Sequence, residues 1–116
     1  MKRVIDAQTI VIKFGSAIIS RNGRINLRWV RKKIAEIAGM VNEGQRIVLV
    51  SSGAVGAGMI VEDLQNRPKE PLELQLLSGI GQPQLMDIFR NQFRKFDLKA
   101  AQILLTHHNF STLSEK

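Results

Sequence analysis

The residues of this chain that could do chemistry stand at the ends of two short apolar runs. Thr9-Ile10-Val11-Ile12 leads into Lys13-Phe14-Gly15-Ser16, and Ile47-Val48-Leu49-Val50 leads into Ser51-Ser52-Gly53-Ala54. A β-branched run that stops abruptly at small residues is the pattern of a buried parallel strand. In open α/β sheets the carboxyl end of such a strand is where ligands bind. Lys13 places a compact positive charge there, Gly15 lets a ligand approach the backbone closely, and Ser16 adds a hydroxyl. Ser51-Ser52-Gly53-Ala54 ends one strand and opens a helix, whose first N–H groups and dipole attract an anion. Taken together, the two segments describe a site for an anionic group, a phosphate above all. Taken singly, Lys13 reads as a strand-end lysine reaching solvent, and the second segment as a generic strand-to-helix junction.

Other routes to catalysis are poorly represented. The P-loop pattern G-x-x-x-x-G-K-[ST] does not occur, and Gly53-Ala54-Val55-Gly56-Ala57-Gly58 does not match G-x-G-x-x-G. There is no G-x-S-x-G nucleophile elbow. His107 and His108 are adjacent, so their side chains diverge, and no aspartate stands near enough in sequence to complete a metal set. No metal ligands are assigned. The acidic pair Glu62-Asp63 falls in a polar linker and reads as solvated.

At 116 residues the chain is one domain with room for a core, and its 44% hydrophobic content is that of a globular protein. It has no cysteine, which excludes disulfides and thiolate metal sites and fits a reducing, cytoplasmic setting. Charges interrupt every apolar run long before the roughly 18 residues that a membrane span needs. Seventeen Lys and Arg against ten Asp and Glu give a net charge of +7. The one local cluster, Arg28, Arg31, Lys32 and Lys33, reads as a solvated helix face. Nucleic acid is the sharper alternative, with Arg28, Arg31 and Lys32 as its contacts, but aromatic residues for base stacking are few. The basic balance also fits a chain that is part of a longer protein with acidic residues elsewhere.

The elements that must position these residues follow from periodicity. Residues 9–13 read as a strand, and Arg21-Asn22-Gly23-Arg24 as a turn. A helix from Asn26, its N-cap, to Asn42 is closed by Glu43-Gly44. Leu27, Val30, Ile34, Ile37, Ala38 and Val41 share one of its faces, the stripe of a helix packed on a sheet. Residues 46–51 read as the second strand, completing a βαβ unit with the usual right-handed crossover. A small-residue helix runs from Val55 to Val61, and a polar linker from Glu62 to Pro71. Residues 72–96 read as helical with a break at Gly79-Ile80-Gly81-Gln82-Pro83. Beyond the break, Leu85, Phe89, Phe93 and Phe96 recur as a core stripe. Ala100 to Thr106 reads as a third strand. A three-stranded parallel sheet leaves apolar surface uncovered, so the chain reads as the first half of something.

Four segments arrive in a telling order: Val11-Ile12-Lys13-Phe14-Gly15-Ser16, Val48 to Met59, Gly81-Gln82-Pro83-Gln84-Leu85-Met86, and Gln102-Ile103-Leu104-Leu105-Thr106. Over residues 9–109 this order resembles the amino acid kinase superfamily and, within it, the glutamate 5-kinases. The resemblance implies an α/β fold, the amino-terminal part of a three-layer α/β/α sandwich with a mainly parallel sheet. Residues 1–116 then form a partial kinase domain that holds the acceptor-substrate half and lacks the nucleotide-binding half. It implies phosphorylation of the γ-carboxylate of L-glutamate by ATP with Mg²⁺, the first step of proline synthesis, in the cytoplasm, by a homo-oligomer in full-length form. It assigns Lys13 as the catalytic, phosphate-binding lysine, Gly15 and Ser16 as the phosphate-side loop, and Ser52, Gly53 and Ala54 as glutamate contacts. Where the family usually carries an acidic residue soon after Thr106, this chain has His107-His108-Asn109. The isolated 116 residues are then expected not to turn over. The alternatives are another member of the superfamily, or a non-catalytic basic binding module or remnant that pairs with an intact subunit.

Overall fold

The computed structural model describes residues 8–20 and 22–103. Strand β1 (Thr9–Phe14) is followed by one 3₁₀ turn (Ser16–Ile18), helix α1 (Leu27–Asn42), strand β2 (Arg46–Ser51), helix α2 (Ala54–Val61) and helix α3 (Pro71–Arg94). β1 and β2 pair in parallel with Thr9 opposite Arg46 and Phe14 opposite Ser51. The βαβ unit expected from the sequence is therefore present, with both strands in the expected places.

Strand alternation decides what each sheet face does. Ile12, Phe14, Ile47 and Leu49 point into a core shared with Val30, Ile34 and Ile37 of α1, Ala57 of α2, and Leu85, Phe89 and Phe93 of α3. All three helices thus contribute to one side of the sheet. The other side, carrying Val11, Lys13, Val48 and Val50, has no element packed on it among the described residues, and its valines are 65%, 39% and 46% exposed. Two layers of the expected three are formed by the described residues.

The helix ends follow local chemistry. Asn26 caps α1, its side chain accepting from the Trp29 N–H at 3.3 Å. At the other end Gly44 takes a left-handed φ of 95°, with Gln45 N–H donating to Met40 O and Gly44 N–H to Val41 O, a Schellman closure. The same pattern closes α2 and α3, with Asp63 (φ 55°) and Asp97 (φ 58°) in the left-handed position.

Three expectations are corrected. α3 does not break at Gly79–Pro83 but runs through Pro83 without interruption. Its glycines serve a packing purpose instead: α2 and α3 approach so closely that a Cβ on Gly58 would lie 2.1 Å from Leu77 O, and one on Gly81 1.9 Å from Ala54 O. Phe96 is not core but 40% exposed, because α3 ends at Arg94 and the chain turns left-handed at Asp97. Residues 100–103 are not in a strand, and the rest of the expected third strand, 104–106, lies outside the described residues. So do His107 and His108. No helix among the described residues is long and apolar enough to cross a membrane.

Candidate active site at the carboxyl ends of two parallel strands

The two expected segments meet where the sheet ends. Phe14 and Ser51 are register partners, and the next residue ties the strands together: Ser52 N–H donates to Phe14 O at 3.0 Å, and its hydroxyl donates to the same carbonyl at 3.1 Å. Phe14 is itself fixed from below, 3% exposed, with its ring edge-on to Trp29 at 4.9 Å and to Phe89 at 6.0 Å. Such aromatic pairs contribute about 0.5–1.5 kcal/mol each beyond burial. β1 therefore delivers Lys13, Gly15 and Ser16 from a rigid point.

Gly53 turns the chain from strand to helix with φ 100°, and Ala54 starts α2. The first intrahelical bond runs from Ala57 N–H to Gly53 O. The N–H groups of Ala54 and Val55 precede it and have no intrahelical acceptor. These orphan donors suit a carboxylate or phosphate oxygen. The Ser52 hydroxyl, already donating to Phe14 O, meets a ligand with its lone pairs.

Gly53→Ala tests how strictly this turn is set. A left-handed alanine is strained, and its Cβ would meet Ile18 Cγ2 at 3.5 Å, ordinary contact. The cost is therefore backbone conformation alone, about 1 kcal/mol, or a Tm lower by about 4–8 °C. Thermal denaturation followed by circular dichroism reads this directly, and an unchanged Tm would show the turn to be adaptable.

A cavity of about 1080 Å³ opens beside the junction, lined by Ser16, Ser52, Gly53 and Ala54. Four of the six residues singled out in the sequence are thus brought to one concavity. Lys13 and Gly15 are not among its walls. Lys13 is exposed on the uncovered side of the sheet, opposite Val50, because alternation sends it away from the helices. A Cβ on Gly15 would meet nothing within 4 Å, so space is open at that backbone. Lysine and serine side chains flank the strand ends from two sides.

The cavity also takes in Arg24, Asp63 and Arg67, which the sequence left in a turn and a polar linker. The turn is a small hairpin in which Ile19 bridges Ile25, Ser20 N–H donates to Arg24 O at 2.8 Å, and Gly23 has φ 75°. No sequence periodicity links these segments, so only folding could have shown that they line one cavity. The α1 cluster behaves differently: Arg28, Arg31 and Lys32 are exposed, and Lys33 meets Glu36 at 3.4 Å, a surface pair of little energetic weight.

Residues 8–116 match the family model of the amino acid kinases. The chain belongs to the amino acid kinase family. This amino acid kinase chain is 48% identical over 103 residues to a glutamate 5-kinase of Ligilactobacillus salivarius, covering 88% of itself and 39% of that protein. It is 39% identical over 106 residues to a glutamate 5-kinase of Lactococcus lactis, covering 90% of itself and 39% of that protein. With a glutamate 5-kinase of Thermus thermophilus it shares 38% over 114 residues, 98% of itself and 31% of the relative. It therefore spans between a quarter and two fifths of the length of these relatives. Among the described residues no group of three His, Cys, Asp or Glu side chains could hold a metal ion.

Proposed function

We propose that this chain is the acceptor-side part of a glutamate 5-kinase, which transfers the γ-phosphoryl group of ATP to the γ-carboxylate of L-glutamate. The observation that carries the reading is the Ser52 tie between the two strand ends, with an exposed lysine on one side and a cavity of mixed polar and apolar lining on the other. The names of relatives up to 48% identical support it.

In the reaction a γ-carboxylate oxygen attacks the γ-phosphorus, a new O–P bond forms, the bond to the β-phosphate oxygen breaks, and ADP leaves with the electron pair. No covalent enzyme intermediate is needed. Catalysis is then positioning plus charge neutralisation. The N–H groups of Ala54 and Val55 hold the attacking carboxylate, and the open backbone at Gly15 with Ser16 accommodates the phosphoryl oxygens. Lys13 offsets the negative charge that builds between two anions. Mg²⁺ accompanying ATP would supply further neutralisation of phosphate charge when bound.

A chimera tests the proposal. The matching 103 residues of the Ligilactobacillus salivarius protein are replaced by those of this chain. With ATP, Mg²⁺, L-glutamate and hydroxylamine, the chimera is expected to form γ-glutamyl hydroxamate. A chimera that folds and binds ATP but forms none, or accepts another amino acid instead, sinks the reading.

A further inference from the structure

The Asn22-Gly23 pair, inside the small hairpin closed by Ile19 and Ile25, carries chemistry of its own. Asparagine is among the thermolabile residues, because the backbone nitrogen of the next residue can attack its side-chain amide carbon. A Cβ on that next residue crowds the attack, and glycine removes it. Both residues are exposed, and a Cβ on Gly23 would meet nothing within 4 Å, so a succinimide ring has room to form.

Ser20 decides how the amide is presented. Its Oγ donates to Asn22 Oδ1 and also lies 2.9 Å from Arg24 O, so one proton serves two acceptors. When it points at Oδ1, the hydroxyl draws electron density from Cγ and stabilises the negative charge that attack places on that oxygen. One contact works in the other direction. Gly23 N–H donates to Ser20 O at 3.0 Å, and the nitrogen must give up that proton to attack. A hydrogen bond open to competing water is worth roughly two- to tenfold in an equilibrium, so it slows the step without blocking it. The other described asparagines lack the combination. Asn26 is followed by Leu27, Asn42 by Glu43, Asn66 by Arg67 and Asn91 by Gln92, and each of these successors carries a Cβ.

We infer that Asn22 is a site of spontaneous deamidation in the folded chain, with the Ser20 hydroxyl activating its amide. Hydroxide takes the Gly23 amide proton, the nitrogen forms a bond to Asn22 Cγ, and the Cγ–Nδ2 bond breaks to release ammonia. Water then opens the succinimide at either carbonyl, leaving aspartate or isoaspartate at position 22. The step needs no oxidant, metal or second protein. Asn22 lines the same cavity as Ser16 and Ser52, so each event adds a carboxylate to that wall. The inference needs only the hairpin and stands apart from the glutamate reading.

The test follows deamidation of the purified chain at mildly alkaline pH by peptide mass spectrometry, both natively and in denaturant. Asn22→Asp supplies the chromatographic standard that separates aspartate from isoaspartate. If attack required global unfolding, the native rate would fall below the denatured rate by about a thousandfold or more. The expected native rate lies within about tenfold of the denatured one. It should rise with hydroxide concentration, and the product should carry one oxygen from labelled water. Asn26, Asn42, Asn66 and Asn91 should remain amides over the same period. Ser20→Ala should slow the native reaction by roughly two- to tenfold and leave the denatured rate unchanged. Ser20→Thr keeps the hydroxyl and should react as the wild type does. A native rate about a hundredfold or more below the denatured one overturns the site. A Ser20→Ala chain that deamidates natively as fast as wild type, or faster, overturns the activation by Ser20.

Discussion

Gly81→Ala is expected to abolish the cooperative unfolding transition of this chain, or to lower its Tm by about 12 °C or more. The reason is geometric. An added Cβ at position 81 would lie 1.9 Å from Ala54 O and 2.4 Å from Gly58 N, both backbone atoms that no rotamer change can move. Relief requires α2 and α3 to part by well over an ångström along the interface that buries Ala57, Leu77 and Leu85. Overpacking with flexible neighbours costs about 1–3 kcal/mol, and a clash with backbone belongs at or beyond the top of that range. Because Ala54 is the first residue of α2, the same shift displaces the N–H groups of the candidate site. Gly79→Ala is the matched comparison. It lies in the same helix, two residues away, with nothing within 4 Å of its Cβ. Removing a helix glycine at an open position should stabilise by about 0.5–1 kcal/mol. Opposite signs from two Gly→Ala changes in one helix can be read in a single set of melting curves. A Gly81→Ala protein melting within about 2 °C of the parent would mean the helices are not in this contact.

The same glycines show why the sequence was legible in some places and misleading in others. The bounds of α1 were readable because Asn26 and Gly44 act locally, each through hydrogen bonds within a few residues. Gly79, Gly81 and Pro83 carry an equally strong local signal, and it points the wrong way. A helix tolerates them where a partner helix needs the space, and that partner, α2, is not written in the local window. Phe96 kept the apolar spacing of α3 but lay past its end, since periodicity does not report where a left-handed Asp97 will stop the helix. In the candidate site, strand ends and a glycine turn placed Ser16, Ser52, Gly53 and Ala54 beside one cavity, as their positions suggested. Lys13 was harder. Its place in sequence put it with them, while the two-residue alternation of β1 put it on the opposite side of the sheet. The charged walls of the cavity were not legible at all. Arg24 and Arg67 come from separate connections, and only the tertiary fold brings both to one cavity.

Lys13 is where the setting of the charge decides the size of the effect. Its side chain is exposed here, on the same sheet face as Val11 and its register partner Val50. An ammonium about 4 Å from a phosphate gains about 1 kcal/mol in water but about 4 kcal/mol at an effective dielectric near 20. In the isolated chain, Lys13→Met should therefore weaken binding of tripolyphosphate by only about fivefold, and added salt should erase much of the difference. In the chimera, the remainder of the relative supplies the rest of the polypeptide that this chain spans only in part. If it covers the exposed sheet face, water leaves the site and the same charge acts at lower dielectric. Lys13→Met should then lower kcat by about 10²–10³, the loss seen when one preorganised charge-stabilising donor is removed. KM for L-glutamate should stay close to that of the parent, because the acceptor is held from the other side of the strand ends. Lys13→Arg should recover part of kcat, since it restores the charge but not its compact shape. A kcat within about tenfold of the unsubstituted chimera would remove Lys13 from the phosphoryl-transfer step. A rise in KM with kcat unchanged would place it on the acceptor instead, and the two sides of the sheet would have to exchange roles.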